Sequence, residues 1–360
     1  MLAHRNLSSC EKSHGASQRD GFINVPTAQW RWTFVKGSTA LIIAFLVANP
    51  IASTDGFVLA QAIASSDSIK AAQKEEAAEA ALMVNQFERS YVTTTDVRGE
   101  KPRLIFEGSM APPFFLVSPR RNLAVEATPK VVLRMFLERS VPVKTPSYMP
   151  RVTVYRFFHP EQSLITKSVA SYASLTVSHH SNGQAGPFRN ADGTINHESG
   201  NFSTNFVEAA YVSGGPILPR LDGQSRLSVE WHPPGWYDRE SNVGYSHFRL
   251  HFSATTVETP NGNPSARCFV GACFRDFTFN YAVSYLAGDV LPKFRGRGRF
   301  PLWIEFNSTP TFTPDLSFFL DGYWGQDYYN TYFDQSLATI RFGIQGRRRS
   351  DRSSVQPRGT

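Results

Sequence analysis

The chain has 360 residues, of which 41% are hydrophobic, 13% are aromatic and only 19% are charged. This composition, with 25 Gly and 23 Pro, favours many strands and turns over helices. No apolar run reaches the about 18 residues that a membrane-spanning helix needs, which leaves a β-barrel as a possible spanning structure. The formal net charge is +7, but no nucleic-acid motif accompanies it. We therefore expect no nucleic-acid partner, and the basic clusters at 293–299 and 347–358 contact anionic lipid headgroups or are solvated.

The N-terminus has the pattern of an export signal. Arg31 and Lys36 precede the ten-residue apolar run 39–48, and small-x-small cleavage sites follow it. We predict a signal or targeting region over residues 1–62. The segment 63–100, rich in Ala, Glu and Lys at its start, is predicted to be helical or a linker. A buried helix of a cytosolic protein is the alternative interpretation of the apolar run.

Strand follows strand from about residue 101 to residue 346, which we predict to be one β-barrel domain, and the residues 347–360 to be a basic disordered tail. Roughly a dozen strands are indicated by β-branched and aromatic runs between turn residues. Their predicted starts are Leu104, Phe114, Leu123, Val131, Val152, Val169, Phe202, Leu227, Phe248, Phe274, Leu302, Leu316 and Leu337.

Several of these runs alternate with a period of two. Leu227, Val229 and Trp231 share one face of a strand, and Ser228 and Glu230 share the other. A membrane barrel turns the apolar face to lipid, whereas a soluble sandwich turns it inward, so the alternation leaves both folds open. The export signal and the number of strands favour the barrel.

Two of the three cysteines, Cys268 and Cys273, are separated by four residues that include a Gly. This spacing suits a loop disulfide in an oxidising compartment, and two free thiols are the alternative. A zinc site would need more ligands than the neighbourhood supplies.

The stretch Ser178-His-His-Ser-Asn-Gly183 ends a predicted strand. Leu175, Val177, His179 and Ser181 fall on one face, so His179 and Ser181 continue an apolar stripe, while His180 points the other way. The Cα atoms of His179 and Ser181 lie about 6.7 Å apart, a distance that an imidazole can span to a hydroxyl. A hairpin tip with ordinary polar residues is the competing interpretation, because Asn-Gly is a strong turn signal.

The next predicted strand places Asn205 on a face with Val207, Ala209 and Tyr211. Antiparallel pairing can bring Asn205 level with His179 on the apolar side. A group of Ser, His and Asn on the outer wall of a membrane barrel would meet lipid as its substrate.

The motif His179–Gly183 resembles the His-x-Ser-Asn-Gly signature of the bacterial outer-membrane phospholipase A family. The stretch 205–211 is similar to that family's following strand, and 322–343 is similar to its last hairpin. The resemblance covers residues from about 171 to 346, with gaps. It implies an all-β, 12-stranded antiparallel transmembrane barrel in the bacterial outer membrane, calcium dependence and activation as a homodimer.

Under this resemblance Ser181 is the nucleophile, His179 its base, Asn205 the residue that orients the imidazole, and the Gly183 N–H an oxyanion donor. The implied reaction is hydrolysis of phospholipid acyl esters of the A1 or A2 type. The expected calcium ligands are the Gln184 carbonyl and the Asn201 side chain, in a loop that is longer than the family usually has. Replacement ligands in this loop are Ser199, Ser203, Asp192 and Glu198.

Two other functions remain open on the sequence. One is a catalytically silent outer-membrane barrel, either a pore or a structural protein, which needs no geometry at His179, Ser181 and Asn205. The other is a soluble secreted lipase or binding domain with a β-sandwich. We expect the aromatic stretch 231–237 to be an interface girdle or turn, and Glu208 and Arg341 with His180 to face the lumen.

Overall fold

The structure is a computed structural model. It describes residues 89–97, 104–120, 122–137, 142–158, 171–218, 221–257, 267–269, 272–313 and 316–346. The predicted signal region, the predicted helix before residue 89 and the basic tail lie outside these residues. In the described residues, no helix is long and apolar enough to cross a membrane.

The described residues form one antiparallel sheet of fourteen strands. All of them except β3 and β10 form a closed ring of twelve, because β11 pairs with β9 as well as with β12. β3 and β10 are added as partners of β4 and β11. The strands are β1 (Tyr91–Val97), β2 (Leu104–Met110), β3 (Phe114–Arg120), β4 (Leu123–Phe136), β5 (Ser147–Phe157), β6 (Tyr172–Ser181), β7 (Ser203–Leu218), β8 (Leu221–Trp231), β9 (Phe248–Val257), β10 (Arg267–Phe269), β11 (Ala272–Ala287), β12 (Leu302–Pro310), β13 (Leu316–Gln326) and β14 (Ser336–Gly346).

Two expectations about the strands need correction. Val131 does not start a strand, because β4 runs without interruption through it. The strand β1 lies in the segment 63–100 that was assigned to a helix or linker, and it pairs with β14 and β2 to close the ring. Its sequence, Tyr-Val-Thr-Thr-Thr-Asp-Val, lacks the apolar alternation that identified the other strands. Near β10, Cys273 is disulfide-bonded and Cys268 lies directly opposite it.

The outward face of the barrel is apolar and the inward face is polar. Leu227 and Phe342 are 58% and 54% exposed, whereas their strand neighbours Ser228 and Arg341 are 1% and 5% exposed. A soluble sandwich would show the opposite distribution, since its apolar face forms the core. The fold is therefore an all-β transmembrane barrel whose outer wall meets lipid, and in the described residues each of the twelve ring strands pairs on both sides.

Inside the barrel, charged side chains pair across strands. Arg341 bridges Glu107 and Asp321, and Arg134 reaches both Glu107 and Asp327. A cavity of about 420 Å³ lies beside this network and is lined by Asp321 and Arg341 together with Glu126, Glu208 and Glu230. The predicted lumen positions of Glu208, Arg341 and His180 are confirmed.

Four connections meet at one end of the barrel, which we call the loop end: 182–202, 232–247, 288–301 and 327–335. Their buried aromatic residues pack together, with Phe188, Phe202, Tyr245 and Phe333 in one cluster. Phe202 of this cluster contacts the inward-facing His180, with ring centroids 5.0 Å apart, so the cluster lies against the lumen where β6 stops and β7 begins.

Candidate active site on the outer wall

The antiparallel pairing of β6 and β7 places His179 directly opposite Asn205 and Ser181 opposite Ser203. His179 Nδ1 and Asn205 Oδ1 are 2.7 Å apart. Both side chains are half-buried, and on the same face of β6 Leu175 and Val177 are exposed. A hydrogen-bonded polar pair therefore interrupts an otherwise apolar, lipid-facing stripe.

The orientation of the Asn205 amide follows from its second partner. Asn205 Nδ2 donates a hydrogen bond of 2.7 Å to the carbonyl oxygen of Trp236, which can only accept. Oδ1 therefore faces His179, so the imidazole must donate from Nδ1. In the neutral imidazole, the remaining nitrogen, Nε2, therefore has the lone pair that a general base requires.

Trp236 lies in the loop 232–247, which is fastened to the start of β7. Its carbonyl also accepts the backbone N–H of Asn205 at 3.0 Å. Asn242 Nδ2 donates to Ser203 O at 3.1 Å, and Tyr237 forms a bridge with Thr204. The sequence interpretation treated this stretch only as a girdle or turn, because a backbone carbonyl has no signature in the sequence.

Ser181 lies two residues after His179, on the same face of β6. Among the described residues, its hydroxyl makes no hydrogen bond to His179. The two residues are neighbours on one face of β6, and a rotation about the Ser181 side chain changes the separation. Hydrogen bonds of this kind are often long in the absence of substrate and shorten when it binds.

The residues after Ser181 are held by Asn182, which is buried. Its Oδ1 accepts the N–H groups of Gln184 and Phe202 at 3.3 and 3.0 Å, and its Nδ2 donates to Gly200 O at 2.7 Å. Gly183 then turns outward with φ of +67°, which favours glycine. Within the described part of the chain the exposed Gly183 N–H has no hydrogen-bond partner, as an oxyanion donor requires.

The expected calcium ligands lie on two neighbouring segments. Gly186 N donates to Ser199 O at 3.0 Å, and Asn201 N donates to Gly186 O at 3.0 Å, so the chain around Gln184 runs beside Asn201. Ser203 is part of the β7 ladder. These residues bring several neutral oxygen donors into one region.

The acidic residues considered as calcium ligands contribute less to this region than the neutral ones. Asp192 is exposed and accepts two hydrogen bonds from Thr194, which lower the pKa of its carboxyl group. The Oγ atom of Ser199 accepts a hydrogen bond from Asn196. In the described residues there is no group of three or more His, Cys, Asp and Glu side chains that could hold a metal. The donor set thus fits a calcium site of low affinity, since affinity rises with ligand charge.

Exposed aromatic side chains surround the site at the loop end. Tyr148, Trp231, Trp236 and Phe248 are each 40–48% exposed. Such aromatic belts mark the level of the membrane–water interface. His179 and Asn205 lie at this level, which is also the depth of the ester bonds of phospholipids.

The fold and the site together define a transmembrane β-barrel that carries serine, histidine and asparagine on its outer wall at the membrane interface. No family model matches the chain, and no curated protein matches it significantly.

Solved structures with a similar fold include outer membrane phospholipase A from Escherichia coli, at 10% identity and a TM-score of 0.48, covering 75% of this chain and 97% of that chain. The Salmonella typhi outer membrane phospholipase dimer with bound calcium has 10% identity and a TM-score of 0.48, covering 76% and 98%. An outer membrane channel from Pseudomonas putida F1 has 10% identity and a TM-score of 0.38, covering 71% and 91%. At this identity the likeness concerns the fold alone.

Proposed function

We propose that the protein is a phospholipase of the bacterial outer membrane that hydrolyses acyl esters of membrane phospholipids, of the A1 or A2 type. The observation that carries the proposal is the His179–Asn205 hydrogen bond of 2.7 Å on the lipid-facing wall. Polar side chains on this face are costly unless they have a partner or a task. Here Nδ1 of His179 faces Asn205, which leaves Nε2 of the neutral imidazole for Ser181, two residues further along β6.

In the proposed reaction, Ser181 Oγ attacks the acyl carbonyl while His179 Nε2 takes the hydroxyl proton. The carbonyl oxygen becomes an oxyanion, which the Gly183 N–H stabilises. When the ester C–O bond breaks, the imidazolium returns the proton to the leaving lysophospholipid. Water then hydrolyses the acyl-serine with the same base, releasing a fatty acid and restoring Ser181.

Asn205 keeps the imidazole in this tautomer and stabilises its orientation. Because an amide is neutral, Asn205 supplies less stabilisation to the imidazolium than a carboxylate would. Because the site is on the outer wall, a phospholipid reaches it without leaving the bilayer. Its acyl chains lie against Leu175 and Val177 while its ester is level with Ser181.

Calcium and homodimer formation are further parts of the proposal, and they rest on the sequence resemblance. Gln184 and Asn201 would hold the ion, with Ser199 or Ser203 as additional neutral ligands. When bound, the ion supplies positive charge beside the developing oxyanion. The neutral donor set predicts a weak site, of the order of the 10⁻⁴–10⁻³ M class.

The test is fatty-acid release by the full chain refolded in detergent, with a phospholipid substrate and with either calcium or chelator. Ser181→Ala should lose the activity. Ser213→Ala is the matched control, because Ser213 is exposed on β7 at the other end of the barrel and should retain it. A fluorophosphonate probe should label the parent and not Ser181→Ala. A folded parent without activity or labelling would refute the proposal.

A silent or pore-forming barrel is the second candidate, and the cavity of about 420 Å³ with charged residues in its lining favours it. The aromatic cluster at the loop end argues against an open pore, because it packs against the inward-facing His180 at one end of the lumen. Conductance in a planar bilayer separates the two functions: steady ion conductance without ester hydrolysis would support the pore.

A further inference from the structure

The connection between β11 and β12, residues 288–301, is strongly basic, and we call it the basic loop. It contains Lys293, Arg295, Arg297 and Arg299 within seven residues. It lies at the loop end of the barrel, the same end as the candidate active site. The hydrolytic mechanism does not use it.

Buried contacts and hydrogen bonds anchor the basic loop to the barrel. Phe294 is 3% exposed and packs with Leu286 and Val290 beneath the loop. Arg299 donates to Leu286 O at 2.6 Å and to Gly288 O at 3.0 Å. One arginine and one phenylalanine therefore fasten the loop to the end of β11.

The other arginines are presented to the outside. Arg295 and Arg297 are exposed, and within the described residues neither forms an ion pair. Asp289 is the only acidic residue in 288–301, and its carboxylate accepts the N–H of Gly244 at 3.2 Å. The charges of Arg295 and Arg297 are thus not neutralised by an acidic residue of their own loop, and guanidinium groups suit two-pronged binding of phosphate.

The position of the loop indicates which phosphate it meets. Tyr285, just before the loop, and Phe300, near its end, are 37% and 55% exposed, with ring centroids 5.2 Å apart. Leu302, at the start of β12, pairs with Trp324, which is 42% exposed. These outward aromatic residues mark the membrane interface, so the basic loop lies at the level of lipid headgroups.

We propose that Arg295 and Arg297 bind the phosphate groups of anionic lipid headgroups in the leaflet at the loop end. The inference goes beyond ester hydrolysis and does not depend on it. A surface for anionic headgroups would give this end of the barrel a preference for its lipid neighbours, through charges that lie within one Debye length of the phosphates.

The test uses the full chain in zwitterionic detergent, titrated with a short-chain phosphatidic acid whose chains are ether-linked. Because this lipid has no acyl ester, the proposed hydrolysis cannot affect the measurement. Binding is followed by calorimetry for the parent, Arg297→Gln and Arg295→Gln/Arg297→Gln. Arg239→Gln is the matched control, since Arg239 is exposed in the neighbouring loop 232–247 and has the same charge.

Each removed charge should weaken binding roughly fivefold, so the double variant should bind roughly 25-fold more weakly than the parent. The affinity of the parent should fall as salt is raised, and Arg239→Gln should stay within about twofold of it. Retained strand content by circular dichroism shows that the variants fold. Glutamine at exposed positions leaves the Phe294 and Arg299 anchors intact.

Four results would overturn the proposal. The double variant could bind as tightly as the parent, or Arg239→Gln could lose as much affinity as Arg297→Gln, which would indicate net charge alone. A zwitterionic ether-linked phosphatidylcholine could bind equally well. Inorganic phosphate could displace the lipid at equal concentration, which would indicate a site for free anions. Failure of the hydrolysis proposal would leave all these outcomes unchanged.

Discussion

Replacing Asn205 by Ala removes the hydrogen bond that fixes the imidazole of His179 and the one that fixes the Asn205 amide on the loop 232–247. Asn205 Oδ1 lies 2.7 Å from His179 Nδ1, and its Nδ2 lies 2.7 Å from the Trp236 carbonyl. In Asn205→Ala the ring is free to rotate and to take the other tautomer. We expect kcat for phospholipid hydrolysis to fall while KM stays unchanged, because Asn205 orients the base and does not bind the substrate.

The size of the effect can be worked from these contacts. One neutral hydrogen bond contributes about 1 kcal/mol net, equivalent to a factor of about five. Misplacement of a catalytic group by about 1 Å can cost up to about 10²-fold. We therefore expect a loss between about 10-fold and 10²-fold, smaller than that in Ser181→Ala, which removes the nucleophile itself.

The assay is initial-rate fatty-acid release in mixed micelles. Asn190→Ala is the matched control, because Asn190 is an exposed asparagine of loop 182–202 with its own side-chain hydrogen bond of 3.0 Å to Thr194. The control should keep the parental rate. Asn205→Ala with a kcat within about twofold of the parent would refute the positioning role, since the loss of one hydrogen bond alone is worth about fivefold.

Three other changes test the remaining structure. Gly183→Ala places a side chain at φ of +67°, which costs roughly 1–2 kcal/mol. We expect kcat to fall by about tenfold because the N–H moves, and an unchanged kcat would exclude this N–H as oxyanion donor. Arg134→Leu leaves the buried Glu107 without one partner and should reduce the free energy of unfolding by about 3 kcal/mol, measured by urea titration in lipid; a loss below about 1 kcal/mol would contradict this. Burial lowers the pKa of His247 to about 4, below the about 6.5 of an unfolded histidine, so its loop should be most stable above pH about 6.5 and lose stability as the pH falls toward about 4. His247→Phe, which keeps the stack on Tyr237, should make hydrogen exchange of that loop less dependent on pH in this window, and an unchanged profile would assign the effect to other groups.

Local patterns in the sequence predicted much of the fold and part of the site. The alternation of Leu227, Ser228 and Val229 is a property of the pleat, so the two faces of each strand are readable from neighbouring residues alone. The same rule placed His179 and Ser181 on one face. Asn205 followed from its own strand and from the order of the motifs.

Other features needed the closed barrel. The pattern at 227–231 is identical for a sandwich and a barrel, and only the ring of strands decides that Leu227 faces outward and Ser228 inward. β1 has almost no apolar alternation, and its identity as a strand comes from pairing with β14, a partner more than 200 residues away in the chain. Register between distant strands is a cooperative property of the whole sheet, so a short window of sequence does not contain it.

The candidate site divides in the same way. The residue types at Ser181, His179 and Asn205 were visible in the sequence, because side-chain chemistry is written in the residue names. The role of the Trp236 carbonyl was not visible in the sequence, because every residue has a carbonyl and only the folded loop decides which one reaches Asn205. This carbonyl selects the amide orientation and hence the tautomer of His179. The sequence by itself therefore determined the chemistry available on the outer wall, and the tertiary structure decided its orientation, since backbone groups become specific only when long-range contacts fix them in space.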